Sequence, residues 1–228
     1  MKNLRRGDTV YIHPEAEYHP SATLQAIIDV GMIPGIAINP GTSVETVLEM
    51  LQVVAASEWH EQVLSEFERA GLMPLFKGFS SPGVNRQLSI YNGLQDIKAY
   101  AALESLVMVH DAARPYLTES MVQSYFMAAD GALPVLPMKD TIYQSKDGRV
   151  ISGLLNRDEL FAGQAPEVYR LGKYLTANER LLPDDILRIN GAAEPAIMAG
   201  MDIAIVDGEE KNFKITTPAD LERFREMV

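Results

Sequence analysis

The chain has 228 residues, a formal net charge of −11, 47% hydrophobic residues and no cysteine. That length and apolar content fit one large or two small domains with a substantial core. The acidic balance argues against nucleic-acid polymers and anionic membranes as partners, missing thiols exclude disulfide and thiolate chemistry, and no run approaches the about 18 apolar residues of a membrane span.

The opening, Met1 to Asp8, is basic with no apolar run behind it, so no signal peptide is expected and a reducing, cytoplasmic setting fits. Thr9 to His13 reads as a strand, Ser21 to Val30 as a helix with Leu24, Ile27 and Ile28 on one face, and Ile33 to Ile38 as a second strand. Thr42-Ser43-Val44-Glu45 is a capping-box pattern that opens a helix through about Leu51. Val53 to Ala55 reads as a strand, although connections of about 2–6 residues are usual and almost none is left here. Glu58 to Ala70 is helical, stopped by Gly71, with Trp59 and Phe67 eight apart on one core-facing side. Leu88 to Leu103 is mainly helical, Leu106 to Val109 a buried strand, and Ala132 to Leu136 another. Thr141 to Ile151 alternates like a hairpin arm around Asp147-Gly148. Ile203 to Val206 is a late strand, and Thr217-Pro218 opens a final helix with Pro at its first position. Strands alternating with helices favour a doubly wound α/β fold with a mostly parallel sheet. The 11 methionines are scattered like core filler.

The strand Leu106 to Val109 ends abruptly in His110, Asp111 and Arg114. In open α/β sheets ligands sit beyond the carboxyl ends of such strands, and a carboxylate and guanidinium there can hold a metal ion and a phosphate. The plainer alternative is a capped turn.

Several motifs follow one another in a recognisable order. They are Gly83-x-x-Arg86-x-x-Ser89-x-x-Asn92-Gly93-Leu94, Val109-His110-Asp111-Ala112-Ala113-Arg114-Pro115 and Asp140-Thr141, then Arg157, Gln164-Ala165-Pro166 and Asn212-Phe213-Lys214-Ile215-Thr216-Thr217-Pro218 with Asp220-Leu221. From about Val54 to Val228 the chain therefore resembles the 2-C-methyl-D-erythritol 4-phosphate cytidylyltransferases and their relatives acting on ribitol 5-phosphate. The resemblance implies a Rossmann-like, nucleotide-diphospho-sugar-transferase-like fold with a protruding β-hairpin arm. It also implies transfer of CMP from CTP to a polyol phosphate as part of isoprenoid-precursor or ribitol-phosphate metabolism, with Mg²⁺ as the divalent cation.

By the same resemblance, Asp111 would hold Mg²⁺ near the α-phosphate and Lys214 would neutralise charge there, the two forming the catalytic pair. Arg114, Thr141 and Arg157 would grip the polyol phosphate, and Gly83, Arg86 and Ser89 would approach the cytidine. The arm at about 138–156 would cross to a second subunit, giving a homodimer. Plainer alternatives stand beside these roles: Lys214 a solvated lysine, Arg157 paired with Asp158 or Glu159 on the surface, Ser89 a helix residue without a ligand, Thr141 a β-former.

Residues of about Gly7 to Val53 are similar to something else, the middle of a ribulose-phosphate 3-epimerase. Asp8-Thr9-Val10-Tyr11-Ile12-His13-Pro14-Glu15-Ala16 and Gly35-Ile36-Ala37-Ile38-Asn39-Pro40-Gly41-Thr42-Ser43-Val44-Glu45 carry that likeness. The chain reads as a chimera: a β-α-β-α block over 1–53, then a cytidylyltransferase-like domain over 54–228. His13, Glu15, Glu17 and His19 invite a metal site, but the epimerase family keeps its acid–base aspartates and metal-binding histidines on strands outside this segment.

Three departures from the cytidylyltransferase pattern bear on activity. The family's Gln-Thr-Pro-Gln stands here as Gln164-Ala165-Pro166-Glu167, and its acidic Thr-Asp-Asp-Ala stretch as Asn190-Gly191-Ala192-Ala193-Glu194. The family's opening Gly-rich loop, whose amides and two cations cradle the CTP phosphates, has no counterpart in residues 1–53 beyond Gly41. Impaired turnover is therefore expected, with two alternatives: a catalytically inactive chimeric binding protein and a remnant epimerase.

Overall fold

The computed structural model describes residues 50–116 and 130–227. The front strands and helices expected over 1–49, and the candidate ligands His13 to His19, lie outside the described residues.

β1 (Leu51–Val54) is buried along its whole length. It runs parallel to β2 (Phe76–Ser80), with Gln52 opposite Gly78 and Val54 opposite Ser80. A helix was expected to reach about Leu51; instead the Leu51 N–H donates to the Leu75 carbonyl and begins the ladder there. Between the two strands lie a 3-10 turn (Ser57–Trp59) and α1 (His60–Ala70). Gly71 ends α1 at φ 70°, a left-handed conformation that glycine adopts without steric cost. Phe67 is buried against Leu51, Val53 and Leu72, and Trp59 packs on the same cluster.

α2 spans Arg86–Ile97, with the Asn85 side chain accepting from the Leu88 N–H at its start. The helix is shorter than the expected Leu88 to Leu103. After Ile97 the chain tightens into i→i+3 turns, Ala99 N–H to Asp96 and Tyr100 N–H to Ile97, and the Tyr100 hydroxyl is captured by Gln52 Oε1 at 2.7 Å.

Among the described residues the main sheet has five strands: β3 (Leu106–Val109), β4 (Gly131–Pro137), β7 (Phe161–Gly163), β8 (Glu167–Arg170) and β9 (Ile203–Asp207). β9 runs parallel to β4 from Gly131 to Val135. β8 lies antiparallel between β3 and β4, and β7 takes the far end of β4 from Val135 to Pro137. The fold is α/β as expected, and β7 and β8 make the sheet mixed. They are the return path of the arm, whose own two-residue strands β5 (Tyr143–Gln144) and β6 (Gly153–Leu154) pair, among the described residues, only with each other. Asp147 Oδ1 accepts the N–H groups of Arg149 and Val150 at the arm's tip, where Gly148 has φ 71°.

α3 (Leu171–Glu179) and α4 (Glu194–Met198) cover one face of the sheet, and α5 (Pro218–Met227) closes the described chain. Among the described residues no helix is long and apolar enough to cross a membrane. Tyr174 of α3 is fully buried and stacks on Tyr169 of β8 with centroids 4.0 Å apart. Its hydroxyl donates to the Ala192 carbonyl at 2.6 Å and accepts from Gln87 of α2 at 3.1 Å. One phenol thus ties α2, α3 and the segment before α4. Tyr174→Phe removes that donor, strands a buried carbonyl, and is expected to cost about 1–3 kcal/mol; a urea unfolding midpoint equal to the wild type's would show that the ties are idle.

Candidate active site

β3 delivers Asp111 to the carboxyl end of the sheet, where the chain turns and the Arg114 N–H bonds back to the Asp111 carbonyl at 2.9 Å. Two cations from distant segments meet the Asp111 carboxylate. Arg86, the first residue of α2, donates to Oδ1 through Nε at 3.1 Å and Nη2 at 2.7 Å. Lys214, in the loop after β9, places Nζ 3.6 Å from Oδ2. Burial alone would raise the Asp111 carboxyl, but Arg86 and then Lys214 outweigh it and hold it well below the usual carboxylate range. Arg86 is stabilised in its charged form by Asp111 and Glu167 against the cost of burial.

Arg114 lies beside this pair. Its Nη1 donates to the Asn212 carbonyl at 2.6 Å, while burial lowers its basicity against the pull of Asp111. Its buried Nε has no partner among the described residues. Glu167, opposite Val109 in the β3–β8 ladder, brings a second carboxylate to this end of the sheet. It is buried, and it accepts the Tyr169 hydroxyl. Burial pushes its carboxyl up, with Arg86 the largest opposing influence. Three cations therefore share the basin with two carboxylates.

Gly83 and Ser89 shape the rim. Ser89 is fully buried, its hydroxyl accepting the Gly83 N–H at 2.8 Å and donating to the Asn85 carbonyl at 3.0 Å. A Cβ on Gly83 would lie 2.6 Å from Leu88 Cβ and 2.7 Å from the Ser89 nitrogen. The glycine thus permits close approach of loop and helix, and the serine is spent on holding the loop. Thr141 and Arg157 stand away on the exposed arm and its base. Arg157 donates to the Lys139 carbonyl at 3.0 Å and comes within 4.0 Å of Asp158, so within one chain neither arm residue is among the groups bonded to Asp111.

Sequence reasoning assigned no role to Gln164, Asn212 and Gly208, which secure the Lys214 loop. Their partners lie too far away in sequence for spacing to reveal them.

Among the described residues no three His, Asp or Glu side chains converge as a metal cage. Mg²⁺, however, commonly keeps several waters and is held by one or two carboxylates plus substrate phosphates. Asp111 suits that kind of shared cation, its neighbours Arg86 and Lys214 being placed to turn to phosphate oxygens.

The family model of 2-C-methyl-D-erythritol 4-phosphate cytidylyltransferase matches residues 42–227. The chain belongs to this cytidylyltransferase family. The model of the ribulose-phosphate 3 epimerase family matches residues 3–56, so the two matches overlap over residues 42–56, a stretch that includes β1. The cytidylyltransferase-family chain is 32% identical over 178 residues to the 2-C-methyl-D-erythritol 4-phosphate cytidylyltransferase of Bacillus velezensis, covering 76% of this chain and 73% of that one. It is 30% identical over 164 residues to the ribitol-5-phosphate cytidylyltransferase of Streptococcus pneumoniae serotype 2, covering 68% and 70%. Against the bifunctional enzyme IspD/IspF of Maricaulis maris it is 35% identical over 153 residues, 64% of this chain but only 37% of that one. The fold matches 4-diphosphocytidyl-2C-methyl-D-erythritol synthase from Anaerococcus prevotii with a TM-score of 0.71 at 18% identity, over 98% of this chain and 96% of that one.

His110 offers a pH test of the site's packing. It is fully buried, and its Nε2 must carry the proton because its partner, the Arg114 carbonyl at 3.0 Å, only accepts. Burial lowers its pKa to about 4. A folded value below the unfolded one means that His110 contributes its full stability above about pH 6.5 and loses it as pH falls toward 4. The loss is of order 3 kcal/mol. In metal-free protein, urea unfolding between pH 7.5 and 4.5 is expected to show that decline in the wild type and a flatter profile in His110→Gln; parallel profiles would remove His110 as its source.

Proposed function

We propose that this chain transfers CMP from CTP to a polyol phosphate, 2-C-methyl-D-erythritol 4-phosphate or ribitol 5-phosphate, at a rate well below that of family members with the Gly-rich loop. The observation that carries the reading is the Asp111 carboxylate held between Arg86 and Lys214 at the end of β3. In the reaction a polyol phosphate oxygen attacks the α-phosphorus of CTP, the new P–O bond replaces the bond to the leaving group, and pyrophosphate departs. Such transfer needs alignment and positive charge more than covalent help.

In this reading Lys214 faces the charge growing on the α-phosphate, and Arg114 binds the polyol phosphate. The Gly83 to Arg86 rim, held by Ser89, borders the cytidine. When bound by Asp111 and the triphosphate, Mg²⁺ supplies further neutralisation of that charge. What is missing is the amide-lined cradle for the outer phosphates: residues 1–53 resemble an epimerase fragment, and Gly41 before the Thr42 capping box is no substitute for a Gly-rich loop. Losing one preorganised donor costs about 10²–10³ in rate, and here a whole loop is replaced. A cytoplasmic setting is part of the same proposal.

The assay is pyrophosphate release from purified chain with CTP, Mg²⁺ and each polyol phosphate. Release at least about 100-fold slower than from the Bacillus velezensis relative is expected, and its abolition in Lys214→Met. Release matching that relative would refute the impairment, and CTP binding without release would make the chain a binding protein. Exchange of ribulose 5-phosphate into its epimer would instead favour the epimerase fragment.

The arm supports a homodimer. Tyr143, Val150, Ile151 and Leu154 are exposed on it, and in this reading Thr141 and Arg157 would grip the polyol phosphate bound by a second subunit. Light scattering at micromolar concentration is expected to give twice the 25.2 kDa chain mass, and a monomer would count against the arm's role.

A further inference from the structure

Lys214 lies in the loop between β9 and α5, where local secondary structure cannot fix its position. The loop is instead fastened from the side. The Gln164 side chain, buried where β7 turns into β8, accepts the Glu209 N–H at 3.0 Å. Its amide nitrogen donates to the Glu209 carbonyl at 2.9 Å and to the Asn212 carbonyl at 3.3 Å. Asn212, fully buried, donates through Nδ2 to the Ala165 carbonyl at 2.8 Å. The approach is close: a Cβ on Gly208 would lie 2.5 Å from Gln164 Oε1 and 3.0 Å from the Val135 carbonyl. On the far side of Lys214 the Ile215 N–H bonds to the Ala113 carbonyl at 2.7 Å. Lys214 is thus strung between two fixed points, one made by Gln164 and one by the strand-end segment that carries Asp111.

We propose that Gln164 is a positioning residue, whose amide clamps residues 209–212 and thereby sets where the Lys214 ammonium stands against Asp111 and the transferring phosphate. The physical reason is the sensitivity of electrostatic catalysis to placement: a misplacement of about 1 Å can cost about 10²-fold. Gln164 does not touch the reacting atoms; it acts through Lys214. The proposal rests on the transferase reading for the phosphate, but not for the clamp itself.

Two measurements separate those layers. Hydrogen exchange of the amides of residues 209–215 is expected to quicken at least about tenfold in Gln164→Met, which keeps the shape and removes the polar atoms, and to stay unchanged in Lys214→Met. Gln164→Glu keeps the acceptor for the Glu209 N–H but loses both donors, and falls between them. Calorimetric titration with CTP and Mg²⁺ then reads the functional consequence. Gln164→Met and Lys214→Met each weaken binding roughly tenfold, and the double variant is no weaker than Lys214→Met alone, because the two act as a unit. Additive losses, or unchanged exchange in Gln164→Met, would overturn the clamp. If CTP does not bind the wild type, the transferase reading fails and exchange alone decides the clamp. If Gln164→Met does not fold, Gln164→Glu supplies both readouts, with quickened exchange and weakened binding expected and wild-type values overturning the proposal.

Discussion

A buried carboxylate has to be matched by positive charge, and the position of Asp111 imposes that demand on the rest of the fold. Removing a partner from a buried ion pair commonly costs about 3–5 kcal/mol, because an uncompensated charge is left behind. Here the partners come from the first turn of α2 and from the loop after β9. The packing of Val54 of β1 with Val107 and Val109 of β3, the cap at Asn85 and the fastening of the β9–α5 loop together hold those two cations at one oxygen pair. The same pairing shapes binding. In the proposed reaction a phosphate would meet cations already engaged, and its association would exchange one anion for another.

How much of this could be read beforehand depended on whether the signal was local. The run Leu106 to Val109 and the polar residues after it announced a strand and its end, and β3 occupies those residues. Gly71 as a stop, Asp147-Gly148 as a tip and Pro218 as a helix start were equally legible, since each rests on the conformational preference of one or two residues. The four residues of β8 were not, because Glu167-Val168-Tyr169-Arg170 is too short for a period to register and is held by its neighbours on both sides. Gln164 escaped for a related reason: its partners lie 45 and 48 residues away. Ser89 was legible as part of a motif, yet its burial and its bond to the Gly83 N–H belong to tertiary structure.

Glu167 gives the basin a character of its own. Where the family pattern has a glutamine, this chain sets a carboxylate among Arg86, Arg114 and Asp111 and hands it the Tyr169 hydroxyl. A neutral amide would leave three cations facing a single carboxylate. With Glu167 ionised the excess of positive charge is smaller, and the attraction for a polyanion weakens accordingly.

Among the described residues the hairpin that carries Tyr143 and Leu154 shares no ladder with the five-stranded sheet. Its hydrogen bonds close upon themselves, from the Asp147 side chain at the tip to Leu155 bonded to Ile142 at the root. Evolution can therefore recut this appendage, lengthening it or exchanging its apolar residues, without renegotiating the interior. Its sequence answers to whatever surface it lies against, and it is the part of the molecule where new associations can arise at the least risk to folding.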